Sequence, residues 1–159
     1  MTDILKLLEE DGRYTPAQIA AMTGKTEEEV SSAVSDLEKR HIINGYTALI
    51  DWEKADVETV TALIEVKITP QRDDGFDRIA QRIYQFEEVE SLYLMSGAFD
   101  FCVIVTGKSL REVSQFVSQR LAPIDGVIST ATHFIMKCYK DKHRTFLVER
   151  EQEERMLFV

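Results

Sequence analysis

Apolar residues near the start of the chain recur at helical spacing. Ile4, Leu5, Leu7 and Leu8 form one stripe, which ends near Gly12. Ile19, Ala20 and Met22 form a second, and Val30, Ala33, Val34 and Leu37 a third. Each stripe is small, so helices of this kind bury a core only by packing on one another. The second and third carry start signals. Thr15 with Gln18, and Thr26 with Glu29, have the spacing of a capping box, and Pro16 sits at a first helical position. Gly24 between them suits a left-handed helix end. Two short helices joined by a tight turn over residues 15–40 predict a helix-turn-helix, whose second helix enters a DNA major groove. Asn44-Gly45 is a hairpin signal that predicts a short β-wing, with residues 46–50 as its return strand.

The period then changes from helical to two. Val60, Ala62, Ile64, Val66 and Ile68 alternate with Thr61, Leu63, Glu65 and Lys67, which predicts a strand that Pro70 ends. Phe76, Ile79, Ala80, Ile83 and Tyr84 form a helical stripe. Residues 89–95 and 101–106 read as strands on either side of a Gly97-Ala98 turn. Leu110, Val113, Phe116, Val117 and Leu121 read as one helix, opened by Ser109 and Glu112 as a third capping box. Residues 126–137 read as a last strand. The order β-α-β-β-α-β is the ferredoxin-like split βαβ, with helices on one sheet face. Thr59, Thr61, Leu63, Glu65 and Lys67 would line the other face. That mix fits a homodimer interface, as expected of a protein that reads a two-fold DNA site.

The fold class is therefore α+β: an N-terminal winged helix-turn-helix plus a C-terminal ferredoxin-like βαββαβ (ACT-like) domain. The expected boundaries are 1–50 for the DNA-binding domain, 51–58 for a polar and partly helical linker, and 59–139 for an effector and oligomerisation domain. A charged tail, 140–159, ends in Met156-Leu157-Phe158-Val159. It reads as a surface helix, an arm exchanged between subunits, or a disordered segment.

Charge changes the picture. The net charge of −9 over 159 residues argues against a general nucleic-acid binder. Residues 1–50 hold five basic and nine acidic side chains. The would-be reading face is Glu27, Glu28, Ser31, Ser32 and Ser35. DNA affinity rests largely on neutralised phosphates, so one copy should bind weakly, with strong salt dependence, and several heads per oligomer should restore affinity. Serines 31, 32 and 35 are expected at base edges or phosphates, and Lys25, Lys39 and Arg40 at phosphates; Glu27 and Glu28 could accept from cytosine amino groups, but near phosphates they should repel. The apolar fraction of 44% excludes wholesale disorder. No run approaches the ~18 apolar residues of a membrane span. The acidic, amphipathic N-terminus lacks the pattern of a secretory signal, so a cytoplasmic location is expected. Cys102 and Cys138, in apolar runs without ligand spacing, read as buried thiols. His41, His133 and His143 are scattered, and no metal site, cofactor site or catalytic constellation is expected.

Two domains in this order resemble the Lrp/AsnC (feast/famine) transcriptional regulators over roughly residues 1–139. The resemblance rests on the run Val30…Val34…Leu37-Glu38…Ile42-Ile43-Asn44-Gly45-Tyr46, the turn Gly97-Ala98-Phe99-Asp100, and Leu121…Gly126-Val127. It implies dimers built through the ferredoxin-like domain, often assembled into octamers or discs, and DNA binding through the winged helix. It also implies a small effector, commonly an amino acid, near the glycine-to-aspartate turn at a subunit interface. In that turn Gly97 would let the backbone approach a carboxylate and Asp100 would hold an ammonium group, with Met95, Phe99, Thr130 and Thr132 as flanking wall. The bland reading is a β-turn in which Gly97 takes a positive φ and Asp100 bonds its own loop. One departure stands out: where the family commonly carries an arginine just before the position of Val34, this chain has Ala33. A ligand-responsive regulator is thus the leading reading. The second is a module without DNA affinity that forms mixed oligomers with a DNA-binding paralogue. A remote third is a tetrapyrrole (sirohaem-type) decarboxylase, which shares the two-domain outline.

Overall fold

The computed structural model describes residues 2–69 and 75–146, and the chain divides into two compact units, Met1–Ile50 and Asp51–Val159. In the first, α1 (Thr2–Glu10), α2 (Pro16–Thr23) and α3 (Glu27–Lys39) close on Ile4, Ile19, Ala20 and Val30. Both capping boxes form. The Thr15 amide donates to Gln18 Oε1 at 2.9 Å and the Thr26 amide to Glu29 Oε2 at 2.8 Å, while each threonine hydroxyl accepts the amide three residues on. Gly24 ends α2 at φ 68°, a left-handed position that glycine takes without strain.

The expected β-wing does not form: among the described residues, 41–59 contain no strand. A helix-ending motif takes its place. His41 adopts φ 54°, its amide donates to Glu38 O, and the Ile42 and Ile43 amides both donate to Leu37 O. Tyr46 then folds back. Its ring lies against Gly12, and its hydroxyl donates to Glu38 Oε1 at 3.1 Å. A residue held this way is not free to pair in a two-stranded ribbon, which is marginal by itself. Residues 51–57 make a single helix-like turn, in which Ala55 N donates to Asp51 O and Val57 N to Trp52 O.

In the second unit, β1 (Val60–Ile68), α4 (Gly75–Tyr84), β2 (Val89–Leu94), β3 (Phe101–Gly107), α5 (Leu110–Phe116) and β4 (Val127–Phe134) follow the expected order. The sheet is antiparallel, with strand order β2-β3-β1-β4, as a ferredoxin-like fold requires. Ala62, Ile64, Val66 and Ile68 of β1 join Val103 and Val105 of β3 beneath Ile79, Ile83, Val113, Phe116 and Leu121. Residues 70–74, including the expected strand-ending Pro70, lie outside the described residues.

Helix α5 departs from expectation at both ends. The Ser109 hydroxyl accepts the Glu112 amide, but the Glu112 carboxylate takes the Lys108 amide at 2.6 Å, so the third box closes only half-way. At its C-terminal end α5 widens into a π-helical turn, Val117–Leu121, where Ala122 N reaches Val117 O. A regular α-helix would carry residue 120 inward with 113, 116 and 117. Arg120 instead lies over the Phe86 ring, 4.5 Å from its centroid, and pairs with Glu88. Past β4, Cys138 is exposed rather than buried, because the chain leaves the sheet after the Ile135 amide makes its bond to Thr61 O. A short hairpin, β5 (Lys140–Asp141) with β6 (Arg144–Thr145), follows in what was expected to be tail. The terminal Met156-Leu157-Phe158-Val159 lies outside the described residues. No described helix is long and apolar enough to cross a membrane.

Candidate functional site

Successive side chains on a helix rotate by about 100°. On α3 this puts Val30, Ala33, Val34 and Leu37 on one side, with Val30 and Leu37 buried. The opposite side carries Glu28, Ser31, Ser32, half-buried Ser35 and Lys39 as a line. Of the two acids on the expected reading face, Glu28 lies on this line. Glu27 falls about 100° away from Glu28, on the flank. Three further acids are engaged within the unit. Glu29 closes the Thr26 box, and the Thr26 backbone and hydroxyl hydrogen bonds hold its carboxyl below the usual range. Asp36 Oδ2 lies 3.2 Å from Arg40 Nη1, and Glu38 accepts from Tyr46. Burial, and then the bond to Glu38, pushes the Tyr46 hydroxyl pKa upward. Of the predicted DNA residues, the stripe therefore gathers Ser31, Ser32, Ser35 and Lys39. Lys25 stands exposed in the turn before α3, and Arg40 caps its far end, tied to Asp36.

The effector turn sits at one end of the sheet, where β3 begins opposite Val66. Four of the six predicted residues share this turn. Met95 N donates to Asp100 O at 2.8 Å, and Gly97 and Phe99 lie between them, Gly97 exposed and Phe99 half-buried. Thr130 and Thr132 are on β4 opposite Val66 and Ile64, half-buried, with β1 between them and β3. Two details change the local reading. Gly97 does not adopt a positive φ, and a Cβ there would meet nothing within 4 Å. Asp100 bonds β1 rather than its own loop: Oδ2 accepts Ile68 N at 2.8 Å, while Asp100 N donates to Val66 O. One carboxylate oxygen thus pins the turn to β1, and the other keeps its accepting capacity. Asp100→Ala should lower the midpoint of denaturant unfolding by the equivalent of about 1.5–3 kcal/mol, the usual worth of a bond to a charged group. An unchanged midpoint would show that the bond does not anchor the turn.

A shallow cleft with room for about one water molecule lies at the other end of the sheet, lined by Glu88, Thr106, Gly107, Glu112 and apolar neighbours. It holds none of the predicted effector residues.

The sheet face turned away from the helices is mixed. Leu63 lies opposite Ile104 on one side and His133 on the other, and Glu65 opposite Cys102 and Ala131. Tyr93 of β2 lies across from Cys102 and is 52% exposed. Four of its polar members pair within the face: Thr61 and Thr106 hydroxyls lie 3.0 Å apart, and His133 Nε2 lies 3.2 Å from Glu65 Oε1. Burial, reinforced by the Glu65 charge, raises the Cys102 pKa, so this thiol stays protonated at neutral pH.

Comparison with known proteins gives these surfaces a context. Residues 2–44 match the family of winged helix-turn-helix DNA-binding domains, and residues 61–145 match the Lrp/AsnC ligand binding domain. The second match runs through the β5–β6 hairpin, past the boundary expected at residue 139. The chain is 49% identical to the HTH-type transcriptional regulator YugG of Bacillus subtilis, over 91% of this chain and 88% of that protein. It is 24% identical to the leucine-responsive regulatory protein of Escherichia coli, over 93% and 90%. Among solved structures it is similar to a feast or famine regulatory protein of Mycobacterium tuberculosis complexed with L-methionine. That likeness has 27% identity and a TM-score of 0.73, and covers 90% of this chain and 94% of that one. These matches set aside the decarboxylase reading. The chain belongs to the Lrp/AsnC family, and it is a transcriptional regulator with a DNA-binding helix-turn-helix head and a ligand-binding domain.

Proposed function

We propose that the chain acts in the cytoplasm as a dimer or larger assembly on a two-fold operator. Ser31, Ser32 and Ser35 meet the groove, and Lys25, Lys39 and Arg40 hold phosphates. The observation that carries this reading is the line from Ser31 to Lys39, opposite the buried side of α3, whose flanking acids Asp36 and Glu38 each hold a partner within the unit. The open sheet face supports dimerisation: the polar groups near its centre, Thr61 with Thr106 and Glu65 with His133, are paired, so a second copy can cover them without stranding them. The effector is an amino acid, held at the turn of Met95, Gly97, Phe99 and Asp100, with Thr130 near the same end of the sheet and Thr132 two residues further in. The exposed turn offers only one wall, so a second copy supplies the rest. L-methionine, which the Mycobacterium tuberculosis relative binds, is the first ligand to try.

The test is fluorescence anisotropy on the DNA upstream of the chain's own gene. Two heads with two or three phosphate-binding cations each should give an affinity that falls about 10²–10³-fold between 50 and 200 mM salt. Binding indifferent to salt overturns the phosphate assignment, and absence of binding at low salt favours the mixed-oligomer reading. The effector half is tested by thermal shift with the twenty amino acids. A bound effector at a hundred times its Kd should add about 2.7 kcal/mol of stability. No shift with any of them overturns the turn as an effector site.

A further inference from the structure

The head of the reading stripe is an acid, and phosphate binding has no use for it. Glu28 is exposed, lies in line with Ser31, Ser32, Ser35 and Lys39, and makes no side-chain ion pair or hydrogen bond among the described residues. Glu29, Asp36 and Glu38 each have a partner inside the head. Residues at the N-terminal end of a recognition helix are those that reach base edges. Glu28 sits in the first turn of α3, and the short serines beside it let the helix lie close to the groove floor.

We propose that Glu28 is a specificity-determining residue, whose carboxylate accepts a hydrogen bond from the N4 amino group of a cytosine. The assignment rests on the reading above, in which α3 enters the major groove. The chemistry selects the base. Guanine offers N7 and O6, and thymine O4, all acceptors that repel a carboxylate. Adenine offers an N6 donor, but beside an N7 acceptor, an arrangement that an amide side chain matches and a carboxylate does not. Cytosine N4 is the base-edge donor without an acceptor beside it on its own ring. On every other sequence the charge stays unpaired among phosphates, so Glu28 also weakens non-specific binding and works by exclusion as much as by attraction.

The competing role for Glu28 is favourable placement at the positive end of the helix dipole. Glu27 shares that placement in the same first turn but stands off the stripe, which makes it the control. The experiment is selection from a randomised two-fold operator library by full-length wild type, Glu28→Gln and Glu27→Gln, with thermal melts confirming the fold of each. Wild type and Glu27→Gln should enrich a C·G pair at one symmetric position per half-site. Glu28→Gln should shift that position toward A·T, with the C-over-A preference falling about 5- to 100-fold, and should bind random DNA more tightly. The same preferred site for all three proteins overturns the role of Glu28 and leaves the groove reading standing. Equal loss of the C preference in both variants overturns it in favour of the dipole. A wild type that enriches no sequence overturns the groove reading and Glu28 with it.

Discussion

Ile19→Ala will unfold the reading head and leave the second unit folded. Ile19 is 1% exposed and is one of four buried residues in the core cluster of that unit, with Ile4, Ala20 and Val30. Removing three carbons from such a site costs about 2–5 kcal/mol, because the surroundings collapse only partly into the cavity. A unit the size of Met1–Ile50 has only about 3–7 kcal/mol of stability to lose. Half-buried Leu7, Leu8, Tyr14, Ala33 and Val34 surround the cluster and cannot replace its centre. Hydrogen exchange should show amides of α1, α2 and α3 losing protection while those of β1 and β3 keep theirs. Promoter binding should fall below detection with the effector-dependent thermal shift retained. Protection lost equally in both units would mean that they do not unfold separately.

The parts of this fold that were legible in the sequence are those set by neighbours along the chain. A capping box needs two residues three apart, so Thr15 with Gln18 and Thr26 with Glu29 could be read directly. Ser109 with Glu112 has the same spacing. It closed only half-way because the Lys108 amide, one residue earlier, offered the carboxylate another donor. The alternation from Val60 to Ile68 was legible for the same local reason, since one face of β1 is wholly apolar. The wing failed on a tertiary contact: nothing near Asn44-Gly45 shows that Tyr46 will be held by Gly12 and Glu38. Charge was legible only in part. The sequence shows five acids on α3 and the box that Glu29 closes, but not that Asp36 meets Arg40 or that Glu38 meets Tyr46. Asp100 was noticed for its charge next to a turn. Its bond to Ile68 N spans 32 residues and depends on strand order, which local patterns do not encode.

The second large effect is expected on the open sheet face. Ile104→Asp should convert the assembly to monomers in sedimentation. Ile104 is half-buried, opposite Leu63, with Tyr93 and Cys102 nearby on the same face. Its neighbours Val103 and Val105 point the other way into the core, so the substitution leaves the packing beneath α4 and α5 untouched. In a lone chain the new carboxylate keeps some contact with water. Pressed against a second copy it becomes a buried charge, and two-fold symmetry places one from each chain in the same interface. Glu65 and His133 are already paired, and Lys67, the exposed cation of this face, stands four residues along β1 from the Leu63 that faces Ile104; an unpaired buried charge costs about 3–5 kcal/mol. Two such groups exceed what most dimers of this size can absorb. Operator affinity should then fall about 10²–10⁴-fold, because linked heads lose their mutual effective concentration. Ile104→Val, which keeps the face apolar, should remain assembled and bind normally. An Ile104→Asp protein that still sediments as a dimer would move the dimer interface off this face. It would not touch the assignment of α3, because a single head carries the whole reading stripe and the pairing of heads governs only how tightly the stripe is held.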